Sequence, residues 1–380
     1  SQLRGAATGH LDWLIARFRE RLSVIEDDRP EWLSYAFFGE FIRDTNVFAE
    51  MESWMEKRLE FEKSDGCFGV YGMAYRHACS IAAFSRYELG YRIKDVLDNS
   101  PNSSIIGIDA FDASFQIRRF GKLPEKVHQR FSMCRLLNPL LTLASIFCTL
   151  GWIFWRTRPF LPPPVIYRLG SDFAETPTNA LLWEEVSDRP DDVLVVYRSA
   201  AAQKSYNGPG HGDGRPSVSV TDGLFSLVGS LIAITDVIID NFKILRNAGQ
   251  LPSDFFRALI ALPFKRMMFR ALFNRFHCQY FWAKDDYNSE HVLRSLEIRR
   301  AGGIALGMMH GIPSIASIVH QLRYIDFDFY YVHGRYQYEK YHAQKWSKKM
   351  QVRAVGSLGL SRKEFHRQAN EPKGNGVACF

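Results

Sequence analysis

The chain has 380 residues, 46% of them hydrophobic and 23% charged, which excludes an intrinsically disordered protein and allows two or three domains. Its net charge of +7 favours anionic partners: phosphate-bearing substrates, anionic lipid or nucleic acid. Because the sequence has no dense Lys/Arg run, recognition-helix pattern or zinc-finger spacing, we expect no nucleic-acid partner. The six cysteines are scattered without metal-ligand spacing, so we expect no metal site and the reduced thiols of a cytosolic protein.

Residues 1–135 are predicted to form a mainly helical N-terminal region with some mixed structure. Apolar residues recur at helical spacing in the first forty residues and again at 50–63, and no secretory signal precedes them. A short apolar run at 104–108 suits a strand. The first 160 residues resemble no family.

An uncharged stretch follows at 136–155, and its length suffices for the hydrocarbon core of a bilayer. Arg135 flanks it on one side, and Arg156 and Arg158 flank it on the other, so the positive-inside rule indicates no orientation. A full crossing would separate the charged N-terminal region from the rest of the chain. We therefore interpret residues 136–160 as a re-entrant or in-plane membrane element, with a buried core hairpin as an equally weighted alternative.

Residues 161–370 are predicted to form an α/β domain. A strand at 165–169 is followed by a helix at 178–186 and a second strand at 192–197, and this alternation is typical of a parallel sheet with helices on its faces. The glycine-rich stretch 205–216 lacks the Gly-Lys-Ser/Thr ending of a phosphate-binding loop, so we interpret it as a flexible connection. No motif in the chain predicts a cofactor.

Two apolar segments follow within this domain. Residues 224–239 are predicted to form a hydrophobic helix that carries Asp236. Residues 255–275 combine Phe, Leu and Met with five basic residues and no acid, which favours an amphipathic helix in the headgroup region of an anionic membrane. The alternative is an ordinary surface helix of a basic protein.

The segment 285–291 contains the first candidate functional residues. It precedes a predicted helix, so its Asn and Ser residues are candidate caps and its acids favour the helix dipole. The functional alternative is an acid/base pair formed by Glu290 and His291 at the helix start. Asp286 is a candidate substrate-binding residue in the same segment.

A His-Gly turn follows the next predicted strand, at 303–308. Gly311 lets the backbone turn sharply after His310, and Pro313 is typical of the first position of a helix, here predicted at 314–322. Ligands of α/β sheets bind at the carboxyl ends of strands. His310 is therefore well placed to deprotonate a hydroxyl beside a phosphate, and the alternative is a structural histidine.

A second unit of the same kind comes next. A strand at 327–332 leads to a turn that ends at Arg335, and a further strand at 352–355 leads to Gly356 and Ser357. The order is therefore strand, turn and helix, followed by strand, turn and a helix predicted at 336–346, and then by a last strand and turn.

Asp326 and Asp328 frame a short pattern similar to the metal-binding DxD motif of some glycosyltransferases. Both side chains would share one face of a strand. The pattern is short, so we favour solvation at the strand edge over a metal site.

The segment from 285 to 356 resembles the end of the N-terminal Rossmann-like domain in bacterial GT-B-type transferases of surface polysaccharides. It is most similar to the CDP-glycerol glycerophosphotransferase family and the related capsule and lipopolysaccharide sugar transferases. Their His-Gly-Thr-Pro-like turn is matched by residues 310–313, their Asp-led strand by Asp326 onward, and their Gly-Ser turn by residues 356–357. Ile312 replaces a hydroxyl residue of the glycerophosphotransferase motif, which leaves the donor class open.

In that family the motif histidine is a proposed catalytic base, so the resemblance implies this role for His310. In the hypothesis built on it, Glu290 or His291 would be its helper, and Arg335 would hold a phosphate or carboxylate. The other residues that would bind substrate are Asp286, Gly311, Gly356 and Ser357.

The resemblance also implies an architecture. The family has two Rossmann-like domains with the active site between them, and the C-terminal domain holds the nucleotide-activated donor. Residues 371–380 would begin that second domain, so we expect the chain to be a fragment, and the alternative is a frayed natural C-terminus.

The expected function is a glycosyl or polyol-phosphate transferase of bacterial surface polysaccharide biosynthesis. It would act on a lipid-linked or glycan acceptor at the cytoplasmic face of the inner membrane, and an anionic membrane surface would be a partner. The alternative is a non-catalytic membrane-associated assembly protein on a Rossmann-like scaffold, because fold does not determine function.

Overall fold

The structure is a computed structural model, and the chain divides into two compact units, one of residues 1–49 and 84–132 and the other of residues 50–83 and 133–380. Most of the described residues belong to the second unit. The residues that the structure describes are 66–99, 105–108, 127–129, 134–172, 182–183, 189–206, 214–248, 251, 253–284, 288–309, 324–334 and 346–355.

Of the first unit, the structure describes three short segments, at 84–99, 105–108 and 127–129. The helix α1 (Gly72–Asn99) follows a 3-10 helix at Gly66–Tyr71, and it begins in the second unit and ends in the first. The strands β1 (Ile105–Ile108) and β2 (Val127–Gln129) pair in parallel. The strand predicted at 104–108 is therefore confirmed, and the rest of the N-terminal prediction is tested only where α1 is described.

The second unit alternates strands with helices. Its strands are β3 (Thr157–Arg158), β4 (Val165–Asp172), β5 (Val193–Tyr197), β6 (Ser217–Ser219), β7 (Phe225–Ser226), β8 (Phe276–Ala283), β9 (Ile304–Met308), β10 (Phe329–Val332) and β11 (Gln351–Ala354). Its α-helices are α2 (Cys134–Arg156), α3 (Ala200–Tyr206), α4 (Leu227–Ala248), α5 (Ser253–Ile260), α6 (Leu262–Arg275) and α7 (Glu290–Arg300). Two 3-10 helices lie at Pro190–Asp192 and Val220–Asp222.

Seven of these strands form one parallel sheet in the order β11-β10-β9-β8-β4-β5-β6. Because β4 and β8 are neighbours in the middle, the chain builds the sheet outward from them in both directions. The predicted α/β class, a parallel sheet flanked by helices, is confirmed. So are the strands that the sequence predicts at 165–169, 192–197, 303–308, 327–332 and 352–355.

Three predicted helices fall largely outside the described residues. They are those at 178–186, where 182–183 alone are described and are helical, at 314–322 and at 336–346. The predicted connection 205–216 begins inside α3, which extends to Tyr206.

The sheet is buried on both faces at β5 and over the carboxyl-terminal halves of β4 and β8, and alternate residues of each strand lie on opposite sides. On one face, Leu169 of β4, Val195 of β5 and Trp282 of β8 pack in a core cluster with Trp183 and Met308. All five residues of β5 are buried. Such apolar runs are typical of parallel strands, which have no solvated face.

The helices α6 and α7 pack on each other and against the opposite face of the sheet. Phe273 of α6 contacts Phe281 of β8 edge-on, with ring centroids 5.5 Å apart. Gly170 of β4 leaves room for that ring, because a Cβ at this position would lie 2.6 Å from Cδ2 of Phe281. The close contact between this face of the sheet and α6 therefore depends on glycine at position 170.

The helices α2 and α4 form an antiparallel pair. α2 ends at β3, α4 begins after β7, and these two short strands pair with each other. Near the opposite ends, Asn138 of α2 donates from Nδ2 to the carbonyl oxygen of Leu251, at 3.3 Å. Ile153, Ala233 and Met267 belong to the apolar cluster that joins the pair to α6.

The uncharged stretch 136–155 forms most of α2, one helix that contains both Pro139 and Gly151. Among the described helices, α2 alone has the length and hydropathy to cross a membrane, over Leu137–Arg156. Core helices of soluble proteins meet the same criteria but are mostly buried, whereas only 22% of the most apolar part of this helix is buried. The alternative of a buried core hairpin is therefore wrong.

The basic segment 255–275 consists of two helices, α5 and α6, rather than one. The expectation that it lies on a membrane surface is wrong, because both its apolar residues and its central arginines are buried. The wholly or almost wholly buried side chains are those of Phe255, Phe256, Leu259, Met267, Leu272 and Phe273, and Arg266 and Arg270 are each 7% exposed.

An ion-pair network explains how these arginines are buried. Arg266 donates to Asp240 at 2.5 Å and to Asp236 at 2.8 Å, and Arg270 donates to Asp236 at 2.6 Å. Arg270 also binds Glu297 of α7. Burial by itself would raise the pKa of Glu297, but the charge and hydrogen bonds of Arg270 outweigh it and lower that pKa. The network thus joins α4, α6 and α7 through their charged residues.

Candidate ligand-binding site

The carboxyl ends of three neighbouring strands line a pocket at one edge of the sheet. Asp172 ends β4, Arg198 follows β5, and Val220 follows β6. Because the strands are parallel, these ends meet at the edge where α/β sheets bind ligands. The pocket has a volume of about 200 Å³, which is below the ~300–1,000 Å³ typical of small-molecule sites. It therefore fits a small polar group rather than a whole nucleotide.

Helices α6 and α7 form the other wall of this pocket. Met268 and Phe269 of α6 provide apolar surface. Glu290, the first residue of α7, and Arg294, one turn later, provide charge. Residues four apart lie on the same side of a helix, so Glu290 and Arg294 reach the pocket together.

The N-terminus of α7 is capped by Asn288. Its Oδ1 accepts hydrogen bonds from the backbone N–H of Glu290 at 3.0 Å and from that of His291 at 3.2 Å. These bonds satisfy two of the donors that a helix leaves unpaired at its start. The predicted cap is thus confirmed at Asn288, and it holds Glu290 beside the pocket.

Asp172 lies between two guanidinium groups. Its Oδ2 is 3.7 Å from Nη2 of Arg198 and 3.7 Å from Nη1 of Arg294. Both distances exceed hydrogen-bond length, so these contacts are electrostatic. Arg294 is buried, and its guanidinium also lies over the ring of Phe281, 5.2 Å from the centroid. Away from water, such attractions are stronger than at the surface.

Charged side chains of both signs surround the pocket. Lys265 of α6 forms an ion pair with Glu290, with Nζ 2.5 Å from Oε1. Of the residues that the structure describes, three cations, Lys265, Arg198 and Arg294, lie beside the carboxylates of Asp172 and Glu290. A guanidinium presents paired N–H donors to a phosphate or carboxylate.

His291 lies in the protein core rather than in this pocket. Its side chain has no exposure, and its ring stacks on Phe327 at 5.1 Å and meets His77 edge-on at 5.3 Å. The backbone N–H of Asp326 donates to Nε2 at 3.3 Å, and Nδ1 contacts the carbonyl oxygen of Asn288. These partners assign the neutral tautomer with the proton on Nδ1. Glu290 therefore lines the pocket, whereas His291 packs in the protein core.

The remaining predicted site residues lie outside the described residues and stay predictions. Three strands that precede them, β9, β10 and β11, belong to the same parallel sheet and end at Met308, Val332 and Ala354. The predicted site residues in question are Asp286, His310, Gly311, Arg335, Gly356 and Ser357.

Asp326 and Asp328 are bound by an arginine. Arg299 donates from Nη1 and Nη2 to the two carboxylate oxygens of Asp326, at 2.7 and 3.1 Å, and from Nε to Asp328 at 2.8 Å. Asp328 also accepts from the backbone N–H of Ala305 at 2.7 Å. The expectation of solvation at the strand edge is corrected to an ion-paired cluster. Over the part of the chain that is described, no group of three or more His, Cys, Asp or Glu is arranged to hold a metal.

Several pocket residues were missed by the sequence interpretation. Asp172 and Arg198 each stand at the end of a correctly predicted strand, so the carboxyl-end rule would have found them at the strands 165–169 and 192–197. Arg294 could have been predicted as well, because it follows Glu290 by four residues and such residues lie on the same side of a helix. Lys265 had no such signal, because it comes from a distant helix.

The chain was compared with protein-family models, with curated proteins and with solved structures. None of the three comparisons found a match. The site therefore has to be interpreted from its own residues.

Proposed function

We propose that this chain is a transferase that holds the anionic group of its acceptor substrate in the pocket at the carboxyl edge of the sheet. One observation carries the proposal: Arg198 and Arg294 converge there on Asp172, with Glu290 in the same pocket. Two guanidinium groups favour a phosphate or carboxylate, and a carboxylate beside them supplies acid/base chemistry.

We infer that the sheet belongs to a Rossmann-like domain. Numbered along the chain within the sheet, its strands lie in the order 3-2-1-4-5-6-7. This order begins with that of dinucleotide-binding domains, in which ligands bind where the order reverses. Asp172 ends one of the two central strands, so the pocket is adjacent to that point.

The proposed reaction is the transfer of a glycosyl or polyol-phosphate group. The acceptor hydroxyl oxygen forms a bond to the anomeric carbon or phosphorus of the donor, and the bond to the nucleotide breaks with its electron pair on the leaving group. The hydroxyl proton passes to a base, for which His310 is the proposed residue with Glu290 assisting. Arg198 and Arg294 hold the acceptor's anionic group in place.

The proposed setting is bacterial surface polysaccharide biosynthesis at the cytoplasmic face of the inner membrane. The donor is nucleotide-activated and the acceptor is a lipid-linked or glycan molecule. The small volume of the pocket supports this division, because about 200 Å³ suits a phosphate and part of a sugar or polyol but not a nucleotide.

Release of nucleotide tests this proposal. The complete natural gene product is incubated with CDP-glycerol and with nucleotide sugars in the presence of bacterial lipid extract, and free nucleotide is measured. Glu290→Gln is expected to lower turnover by ~10²–10⁴-fold, because it removes a proton-transfer group. Arg198→Gln is expected mainly to raise KM for the acceptor.

Arg168→Gln is the matched control, since Arg168 is an exposed cation of β4 with no place in the pocket. It should leave turnover and KM unchanged. The proposal is wrong if no donor releases nucleotide, or if Glu290→Gln and Arg168→Gln both behave like the unaltered chain.

The second candidate function is a non-catalytic membrane-associated assembly protein. The position of His291 favours it, because the core location removes one of the two proposed helper groups from the site. The same assay separates the two functions. Binding of inorganic phosphate that depends on Arg198, without nucleotide release from any donor, would support the assembly protein.

A further inference from the structure

The helix pair α2 and α4 presents a continuous apolar surface to the outside, which we call the outer face. Its exposed residues run along the whole length of both helices. They are Leu137, Leu140, Leu143, Phe147, Phe154 and Trp155 of α2 and Leu227, Val228, Leu231, Ile232, Ile238, Ile239 and Phe242 of α4.

The two acids of α4 and its Asn241 lie on the inner side instead. Asp240 and Asn241 are buried, and Asp236 binds Arg266 and Arg270 of α6. On the outer side, Leu231 is 65% exposed and Phe242 is 63% exposed. This is the reverse of a surface helix in water, which buries its apolar stripe and exposes its charges.

The helix α2 shows the same reversal. Asn138, Thr142 and Thr149 are buried, while Phe147 is 70% exposed and Phe154 82% exposed. The buried hydroxyls are satisfied within the protein, for example by donation from Thr142 to the carbonyl oxygen of Asn138 at 2.9 Å. Both helices therefore withdraw their polar groups from the outside, as an apolar surrounding medium requires.

The outer face is too large to be an ordinary surface patch. Two helices of 22 to 23 residues extend for ~33 Å. Because each helix is ~10 Å in diameter and the axes are ~10 Å apart, the pair is ~20 Å wide and its face covers roughly 650 Å². The largest apolar patch on a typical monomer is ~300–600 Å². A surface of this size indicates a binding partner.

Hydrogen-bonding groups are too scarce on this face for a protein partner. Protein interfaces contain about one hydrogen bond per 100–200 Å². Among the described residues of the outer face, the hydrogen-bonding groups are the hydroxyl of Thr235, which already donates to the carbonyl oxygen of Leu231 at 3.0 Å, the weakly bonding thiol of Cys148, and the indole N–H of Trp155 at the end of α2. A hydrocarbon medium needs no such groups, so lipid suits this face better than a second protein surface.

Charge at the ends of the helix pair agrees with a lipid partner. Arg158 is exposed where α2 ends, and Arg246 is exposed in the last turn of α4, at the opposite end of the antiparallel pair. The exposed indole of Trp155 lies beside Arg156, whose guanidinium is 4.5 Å from the ring centroid. Cations and Trp flanking an apolar surface are typical of proteins that meet anionic headgroups.

We propose that the outer face is a bilayer-docking surface and that α2 and α4 lie in the plane of the membrane, with this face among the acyl chains and the sheet-bearing part in water. Neither helix crosses the bilayer, because the inner side is occupied by α5, α6 and the Asp236–Arg266 pair, and a crossing would draw those charges into hydrocarbon. The proposal is independent of the transferase function, since it uses none of the pocket residues.

Flotation with lipid vesicles tests the docking surface. The full chain is mixed with vesicles of phosphatidylcholine and phosphatidylglycerol, and the floating fraction is measured. The double variant Phe147→Glu/Leu231→Glu is expected to lower vesicle affinity by at least ~10-fold, because two apolar side chains leave the lipid and two anions approach the headgroups. Both positions are exposed, so the thermal unfolding midpoint should stay unchanged.

Val355→Glu is the matched control. Val355 is an exposed apolar residue that follows the edge strand β11, away from the helix pair, so this variant should float like the unaltered chain. The proposal is overturned if the unaltered chain does not float or if the double variant floats equally well. It is also overturned if the chain forms a stable dimer that the double variant dissociates while vesicles take up no protein.

Nitroxide labels determine whether α2 lies in the plane or crosses it. In a background without other cysteines, a label is attached at Leu140→Cys, Phe147→Cys or Phe154→Cys, positions two turns apart on the exposed side. Equal accessibility of the three labels to lipid-soluble oxygen supports the in-plane arrangement. A maximum of oxygen accessibility at 147 that falls toward both of the other positions would overturn it in favour of a crossing helix, because oxygen is most concentrated at the bilayer centre.

Discussion

Arg270 binds Glu297 through two hydrogen bonds, from Nε at 3.2 Å and from Nη2 at 3.1 Å, although the Glu297 side chain is wholly inaccessible to solvent. A buried carboxylate is tolerated only when charged partners satisfy it. The pair joins α6 to α7, the helix whose first residue, Glu290, lines the candidate pocket. The geometry of the pocket therefore depends on an ion pair outside it.

Glu297→Gln is expected to destabilise the protein by ~3–5 kcal/mol, because it removes one of the two carboxylates that compensate the buried Arg270. Urea unfolding followed by circular dichroism measures the effect. Glu290→Gln is the control: its ion pair with Lys265 is about one-third exposed, so the loss should stay below ~1 kcal/mol. If the two variants lose the same unfolding free energy, Glu297 contributes no more to stability than an exposed ion pair, and the prediction is wrong.

The stability contributed by Glu297 should depend on pH. Its pKa is lowered in the folded protein from the ordinary value of 4.5, so the contribution is complete above that value and is lost as pH falls through the folded-state pKa. The difference in unfolding free energy between the unaltered chain and Glu297→Gln should thus be constant at neutral pH and shrink below about 4.5. Burial raises the pKa of Asp240, but this carboxyl is present in both proteins, so its contribution to the pH dependence is removed when one unfolding free energy is subtracted from the other. A difference that grows on acidification would contradict the assignment.

Gly170→Ala is expected to destabilise the protein by ~1–3 kcal/mol through overpacking, because its Cβ would lie 2.6 Å from the ring of Phe281 and 2.7 Å from Sγ of Cys278. Gly151→Ala is the matched control. Gly151 lies inside α2 and no atom lies within 4 Å of its added Cβ, so alanine there should stabilise the helix by ~0.5–1 kcal/mol. Thermal unfolding measures both, and a shift of the same sign in the two variants would contradict this packing.

Arg299→Lys is expected to cost ~1–3 kcal/mol, because an ammonium cannot reproduce the planar fork that binds Asp326 and Asp328 together. Arg353→Lys is the control, since Arg353 is exposed and makes one long hydrogen bond, to Gln351 at 3.3 Å. Addition of Mg²⁺ or Mn²⁺ should leave the unfolding midpoint of the unaltered chain unchanged, because an arginine occupies the Asp pair. A metal-dependent rise would restore the metal-site interpretation.

Cys278 and Cys148 should differ in reactivity. Burial raises the pKa of the Cys278 thiol to about 12, so it should resist alkylation by iodoacetamide at pH 8, whereas Cys148 is exposed and should react. Peptide mass spectrometry after timed labelling measures each site. Vesicles should protect Cys148, which lies on the exposed side of α2, and leave Cys278 unchanged. Fast labelling of Cys278 in the folded chain would contradict its burial.

The strands could be predicted because their signal is local. A run such as Val193–Tyr197 is apolar without interruption, and only a strand buried on both faces makes use of such a run. The same holds for the Asn288 cap, which depends on neighbours two and three residues away. Interactions between residues that are close in sequence can therefore be predicted from the sequence alone.

The segment 255–275 was misinterpreted because its decisive partners are distant in sequence. Its unbalanced positive charge predicted a membrane surface, yet Arg266 and Arg270 bind Asp236, Asp240 and Glu297, which lie 26 to 34 residues away. Glu290 and His291 diverge for a different reason: adjacent residues on a helix point ~100° apart, so only the packing of α7 decides which of them reaches the pocket.

The sequence by itself determined the α/β class, the main strands, the position of Glu290 at a helix start and the apolar character of residues 136–155. Hydrophobic periodicity and capping are properties of short stretches, so they can be read without the fold. The tertiary structure alone decided that Arg198 and Arg294 meet at Asp172, and that α2 and α4 expose apolar residues while their polar groups face inward. Those facts depend on which face of each helix meets the rest of the protein, and that choice follows from the total burial of apolar surface and the pairing of charge over the whole unit.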